Sequence, residues 1–239
     1  MEKILFDDIS KSELFNFIKE NEERKIFNFL NADCVYQAKK EKLFFDSVCD
    51  KNCINCIDGA LVSMKLSFFA KRKIPRIRGP TFTKDIISNP ESSENIKHFF
   101  IGYVEKDIIL LKKKYQHLKN ISYFNPSYVK GIIFPEKEIS EIAKKINKEK
   151  PDYVWVGVGG SKQSILSSEL FKRTNAKYFF NVGAAFDFIL DKKKEAPSFV
   201  RKLAMEWAYR LITDFKYSKN KVLRSFIAIR YLNSIELKK

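Results

Sequence analysis

Residues 151–163 read PDYVWVGVGGSKQ. The β-branched and aromatic run from Tyr153 to Val158 is a strand by composition, it meets the glycines Gly157, Gly159 and Gly160, and Lys162 opens a helical pattern that lasts to Thr174. A second strand, Lys177 to Val182, follows and ends in Gly183 and the lone acid Asp187. Strand, glycine turn, helix and strand in this order are how an open parallel sheet presents backbone N–H groups to a ligand at its carboxyl edge. Residues 195–211, EAPSFVRKLAMEWAYRL, then close the stretch with a helix carrying Glu206, Trp207 and Arg210.

The same rhythm extends upstream. Ser10 and Glu13 form a capping box ahead of Leu14, Phe15 and Ile18 at helical spacing. Lys25 to Leu30 is a strand, Asn31-Ala32-Asp33 opens a helix to about Val48, and Asn52 to Ile57 is a strand ending at Asp58-Gly59. ALVSMKLSFFA, after Gly59, is helical and mostly apolar and reads as a buried helix. Strands at Lys97 to Gly102 and Asn120 to Phe124 alternate with helices at Glu105 to Tyr115 and Lys137 to Asn147. The loop-rich segment KRKIPRIRGPTFTKDIISNPE separates the two halves. Strands alternating with helices predict a mainly parallel α/β sheet with helices on both faces. Ligands of such sheets sit where strands end, which selects Asn31, Asp58, Gly157 to Gln163 and Gly183 to Asp187.

Composition narrows the class. The chain has 239 residues, 45% of them hydrophobic, which excludes global disorder and allows a substantial core. Forty-five Lys and Arg against 29 Asp and Glu leave a charge of +16, so an anionic partner is expected: a phosphorylated substrate or an acidic membrane. Nucleic-acid binding rests on charge alone and is not expected. No apolar run approaches the roughly 20 residues that span a bilayer, and Met1-Glu2-Lys3 does not open a signal peptide, so a cytoplasmic protein is expected. Cys53 and Cys56 have the spacing of a metal or redox pair. On a strand they point to opposite faces, however, and His98 and His117 are remote, so buried reduced thiols are expected, with no metal and no cofactor.

Beyond Leu211 the chain turns basic and amphipathic, with Lys216, Lys219, Lys221, Arg224 and Arg230 among apolar residues. A packed helix with a solvated face and a segment that covers a phosphorylated ligand or meets a membrane are both consistent with the pattern. The expected division is a core of residues 1–195 and a helical basic appendage of residues 196–239.

Two strand-end motifs carry candidate chemistry. Gly157-Val158-Gly159-Gly160-Ser161-Lys162 lacks the spacing of a P-loop and the third glycine of a dinucleotide fingerprint, so a tight turn and a phosphate site both fit. Asp58 at a strand end, followed by a glycine that permits close approach, fits a general base for a substrate hydroxyl and equally fits a helix N-cap. There is no Asp-x-Asp and no His/Glu cluster. The charge of a nucleotide diphosphate would then fall on Arg, Lys and backbone N–H groups.

Taken together, Asn31-Ala32-Asp33, Asp58-Gly59, Arg76-Ile77-Arg78-Gly79-Pro80, Val156-Gly157-Val158-Gly159 with Lys162-Gln163, Asn181 to Asp187, Ala196-Pro197, Met205-Glu206-Trp207 and Arg210-Leu211 resemble, in this order, the motifs of the WecG/TagA/CpsF family of bacterial glycosyltransferases. The resemblance covers most of the chain. It implies a Rossmann-like core and a metal-independent, inverting transfer of a sugar, typically of N-acetylmannosamine type, from UDP to a polyprenyl-diphosphate-linked acceptor, in cell-surface polysaccharide synthesis at the inner face of the membrane. It implies Asp58 as catalytic base. Asn31, Arg78, Gly157, Gly159, Lys162, Gln163, Gly183, Asp187, Arg210, Arg224 and Arg230 are the implied donor- or substrate-binding residues, and the appendage is implied to associate with an anionic membrane surface. Several positions depart from the family pattern: Ser164 follows Gln163 where a glutamate is usual, Glu195 precedes Ala196-Pro197 where an arginine is usual, Phe29 replaces a threonine, and Thr213-Asp214-Phe215-Lys216 replaces a proline and arginine element. These departures bear on donor choice. They also support an alternative, a catalytically weakened nucleotide-sugar-binding or scaffold member of a polysaccharide assembly.

Overall fold

The computed structural model describes residues 2–202 and 205–238; the side chains of residues 201, 202, 210, 216 and 217 lie outside the description. The chain runs through β1 (Ile4–Phe6), α1 (Lys11–Glu20), β2 (Lys25–Leu30), α2 (Ala32–Lys40), α3 (Lys42–Val48), β3 (Cys53–Ile57), α4 (Ala60–Ala70), α5 (Gly79–Ser88), β4 (His98–Ile101) and α6 (Glu105–Lys114). It continues through β5 (Ile121–Phe124), α7 (Glu136–Glu149), β6 (Tyr153–Val156), α8 (Gly160–Arg173), β7 (Tyr178–Asn181), α9 (Ala185–Ile189), α10 (Ser198–Lys202), α11 (Glu206–Thr213), α12 (Phe215–Ile227), a 3-10 turn at Ala228–Ser234 and β8 (Ile235–Leu237).

Six strands form one all-parallel sheet in the order β3-β2-β7-β6-β4-β5. HFFI in β4, YVWV in β6 and YFFN in β7 are buried at every position, as strands covered on both faces must be. One face carries α1, α5, α6 and α9 over a ladder of rings in which Trp155 and Phe180 stack at 4.5 Å, and Phe27 and Phe180 at 4.9 Å. The other face carries α7 and α8 over Phe99, Ile101, Val154 and Phe179. A third cluster gathers α2, α3, α4 and the two terminal strands, which pair with each other in parallel, Ile4 opposite Ile235. Cys53 and Cys56 fall in different clusters on opposite faces of the sheet, as their odd spacing requires.

The connections define a crevice. After β2 the chain turns into α2, which packs with α8 on one face, whereas after the neighbouring β7 it turns into α9, which packs with α5 on the other. Loops that diverge to opposite faces from adjacent strands leave an opening at the carboxyl edge. Asn31 lies on one side of it and Gly183 on the other.

Four details differ from the expectation. The helix expected to run to Val48 breaks at Glu41, whose N–H closes α2 on Gln37 O while the residue also begins α3. The loop-rich segment contains α5, begun by Gly79-Pro80, because proline at the start of a helix forfeits no hydrogen bond. The short terminal strands carry too few residues to show a period. Most notably, α4 is not a buried helix: Val62 and Leu66 are buried, but Met64, Phe68 and Phe69 are 66%, 77% and 56% exposed. Among the described residues no helix is long and apolar enough to cross a membrane.

Candidate active site

Asp58 follows the last residue of β3, and its own N–H donates to Leu30 O of β2 at 2.9 Å. The segment returning from α4 runs alongside this strand end, with Ile77 N–H donating to Ile57 O at 2.8 Å. Arg76 Nε donates to Asp58 O at 2.6 Å, and Gly79 N–H donates to Asp58 Oδ1 at 3.2 Å. The carboxylate is thus oriented by backbone from the far side of a helix and a turn. The N-cap residue of α4 is Gly59. Gly79 is the first residue of α5, so the Asp58 carboxylate also satisfies one of the free N–H groups at the N-terminus of that helix.

Asn31 ends β2 and caps α2, its Oδ1 accepting from Cys34 N–H at 3.2 Å. The approach of the two strand ends is close: a Cβ on Gly59 would lie 2.8 Å from Asn31 Cβ. Asp58 and Asn31 are therefore held as neighbours at the mouth of the crevice. The Cys34 thiol lies in the same corner, where burial above all pushes its pKa up to about 12, with Asp33 and Asp58 adding in the same direction. It is a neutral thiol there.

Arg76 and Arg78 converge on one carboxylate. Arg76 Nη2 lies 2.6 Å and Arg78 Nε 3.5 Å from Glu206 Oε1 at the start of α11. Arg78 also donates to Thr81 Oγ1 at 3.2 Å, and burial lowers its pKa. This cluster brings the C-terminal helices to the same strand end that carries Asp58, across 130 residues of chain.

The glycine turn divides into two functions. Gly157 is small because the Tyr103 phenol occupies the space a Cβ would take; Tyr103 Oη then donates to Gly183 O at 3.1 Å, tying the end of β4 to that of β7 across the end of β6. Gly159 and Gly160 have φ of 74° and 61°, in the left-handed region, and a Cβ on either would point into open space. This open turn leads directly into α8, where free backbone N–H groups and the helix dipole favour an anion. Gln163 Nε2, one turn on, donates to Asn181 O at 3.2 Å, and its Oε1 is buried beside Gly183 without a hydrogen bond among the described residues.

Other residues selected from the sequence are engaged elsewhere. Lys162 donates to Val129 O and sits 5.2 Å over the Tyr128 ring, so it faces the loop after β5. Asp187 pairs with Lys193 at 3.2 Å. Arg224 forks onto Asp33, Nε to Oδ1 at 2.5 Å and Nη2 to Oδ2 at 3.2 Å, with Gln37 as a third member at 2.8 Å; this pair fastens α12 to α2. Arg230 is exposed on the 3-10 turn. The side chain of Arg210 lies outside the described residues.

Beneath the crevice lies a polar row that the sequence reading missed. Asn28, Asn55 and Asn181 stand in register on β2, β3 and β7. Asn28 Nδ2 donates to Asn55 Oδ1 at 3.0 Å, Asn181 Nδ2 to Asn28 Oδ1 at 2.7 Å, Ser164 Oγ to the same oxygen at 2.9 Å, and Ser167 Oγ to Asn181 Oδ1 at 2.6 Å. The signal was present as one asparagine in each of KIFNFL, CINCI and YFFN, a polar side chain in a strand with no solvent-facing side. Ser164, where the family pattern has glutamate, belongs to this network.

Residues 2–236 match the glycosyl transferase WecG/TagA/CpsF family. Among curated relatives, the chain is 26% identical over 194 residues to the N-acetylglucosaminyldiphosphoundecaprenol N-acetyl-beta-D-mannosaminyltransferase of Bacillus subtilis strain 168, covering 79% of this chain and 72% of that protein. It is 34% identical over 96 residues to the protein of the same name from Staphylococcus aureus strain MRSA252, covering 39% of this chain and 37% of the relative.

Proposed function

The chain belongs to the WecG/TagA/CpsF family of glycosyl transferases, and from that premise we propose that it moves an N-acetylmannosamine-type sugar from UDP to a polyprenyl-diphosphate-linked sugar, with inversion and without a bound metal, at the membrane surface. The acceptor class follows the names of the relatives. The observation that carries the mechanism is the strand-end carboxylate of Asp58, oriented by Gly79 N–H and set against Asn31 beside the crevice.

The step is a single displacement. The acceptor hydroxyl oxygen attacks the anomeric carbon, its proton passes to Asp58, and the bond from that carbon to the diphosphate breaks with its electron pair on the leaving oxygen. Attack from the face opposite the leaving group inverts the centre. A positioned base of this kind contributes about 10² to 10⁴ in rate. The open turn at Gly159 and Gly160 offers backbone N–H groups to the leaving diphosphate, and Arg76 and Arg78 supply positive charge near the acceptor side. Taking this charge on amides and guanidinium groups is the reason to propose metal independence.

The test is turnover of UDP-N-acetylmannosamine on a short-chain lipid-diphosphate acceptor, with and without EDTA. Asp58→Asn is expected to lose about 10² to 10⁴ in kcat while retaining protection against thermal unfolding by UDP. UDP binding without product in the unaltered protein, across a panel of UDP-sugars, would instead establish the scaffold reading, for which the replacement of glutamate by Ser164 is the motivating observation.

A further inference from the structure

We propose that α4 is the element through which this protein lies on an anionic bilayer, its outer apolar face set into the headgroup boundary with the base Asp58 at its inner end. A helix that is apolar on every side belongs in a core or in lipid. In α4 only the Val62 and Leu66 side reaches a core; Met64 and Phe68 stand in solvent on the other side, and Phe69, one turn beyond Leu66 and in line with Val62, stands in solvent where that core ends. At 11 residues the helix is about 16 Å long, roughly half a bilayer's hydrocarbon thickness, so it can lie in the interface but not cross it.

The charge pattern selects lipid over a second protein surface. The sole charged residue of the helix is Lys65, whose Nζ lies 4.4 Å over the Phe69 ring, an arrangement that lets the ring enter the acyl boundary while the ammonium reaches upward. Lys71, in the left-handed conformation that ends the helix, and Lys73 are exposed at its far end; Arg72 between them pairs with Asp8. Aromatic and long apolar residues on one face with flanking cations match an anionic headgroup layer. The 3-10 turn that packs against α4 carries the exposed Ile229.

The helix is also mechanically joined to the site. Ser63 Oγ donates to Ile74 O at 3.0 Å and Ile74 N–H donates to Ser67 Oγ at 2.9 Å, strapping α4 to the return segment that carries Arg76 and Gly79 to Asp58. Docking α4 would hold the site at headgroup level, where a lipid-linked diphosphate is presented. The choice of a bilayer as occupant rests on the lipid-linked acceptor of the proposed function.

The experiment is sedimentation of the full-length protein with vesicles of phosphatidylcholine containing phosphatidylglycerol. The variant M64S/F68S/F69S is expected to lower the partition coefficient about 100-fold, from the apolar area withdrawn, and K71E/K73E to lower it about tenfold or more on anionic vesicles while leaving neutral vesicles unaffected. Both should melt at the temperature of the unaltered protein, since none of these side chains packs in the core. Unchanged partition of the triple variant would overturn the proposal and leave the appendage as the membrane contact. A protein that is dimeric by analytical ultracentrifugation, and becomes monomeric only in the triple variant with unchanged partition, would assign the face to a second copy and overturn it too. Turnover on a water-soluble acceptor, measured in parallel, separates the two proposals: partition that depends on α4 without any transferase activity sustains the docking surface and defeats the enzymatic reading.

Discussion

Gly59 and Asn31 meet backbone to backbone at the ends of adjacent strands, so that a Cβ on Gly59 would stand 2.8 Å from Asn31 Cβ and 2.9 Å from its Cα. No rotamer change relieves a contact between a backbone carbon and a Cβ. Gly59→Ala must separate the ends of β2 and β3. The expected result is a folded protein destabilised by about 1–3 kcal/mol, with kcat lowered by up to about 10²-fold because the base is displaced from its hydroxyl. Urea unfolding and initial rates on the same preparation check both parts.

Glu206 joins α11 to the segment beside Asp58 through Arg76 and Arg78, and its side chain is mostly shielded from water. Glu206→Ala leaves two cations without their shared partner. We expect a loss of about 1–3 kcal/mol, faster proteolytic cleavage between residues 190 and 215, and a larger rise in acceptor KM than fall in kcat. Equal proteolysis rates in the two proteins would show that the ion pairs do not hold the C-terminal helices.

Asn28→Leu removes the central member of the asparagine row and strands Asn55 Oδ1, Asn181 Nδ2 and the Ser164 hydroxyl in a buried layer. Each orphaned group costs about 1–3 kcal/mol. The variant is expected to lose about 3 kcal/mol or more by chemical denaturation, and Asn28→Leu combined with Ser164→Ala to recover part of it. Additive losses in the double variant would show that Ser164 is not coupled to the row.

His98 is buried with Trp155 Nε1–H donating to its Nδ1 at 3.0 Å and its Nε2 3.1 Å from Ser93 O. Since the indole can only donate, Nε2 carries the proton and the ring is neutral. Burial pulls its pKa from 6.5 to about 4, against the smaller opposing effect of the Ser93 carbonyl. Below pH 6.5 the unfolded chain binds a proton that the native protein refuses, so stability falls as pH drops from about 6.5 to about 4, by up to about 1.4 kcal/mol per pH unit. His98→Phe should flatten this slope, a difference of about 2 kcal/mol between pH 7 and pH 4.5 in urea midpoints.

The alternation of short apolar strands with helices was legible because strand and helix periods are local properties of a few consecutive side chains. The parallel sheet covered on both faces, the opposite facing of Cys53 and Cys56, the placement of Asp58 at a strand end and the Ser10–Glu13 capping box all follow from such neighbours. The same local logic misread α4. A mostly apolar helix signals burial, and nothing within eleven residues reveals that one side of it has no partner.

By itself, then, the sequence determined the α/β class, the order of its elements and which strand ends could host chemistry. Tertiary structure decided how the polar groups are shared. Arg224 goes to Asp33, 191 residues away, Arg76 joins Arg78 on Glu206, Lys162 turns to Val129, and Tyr103 takes the space beside Gly157. Such pairings depend on which strands the crossovers set side by side. A cation carries no mark of its partner in the residues that flank it, because Coulomb and hydrogen-bond energies depend on distance in space and not on distance along the chain.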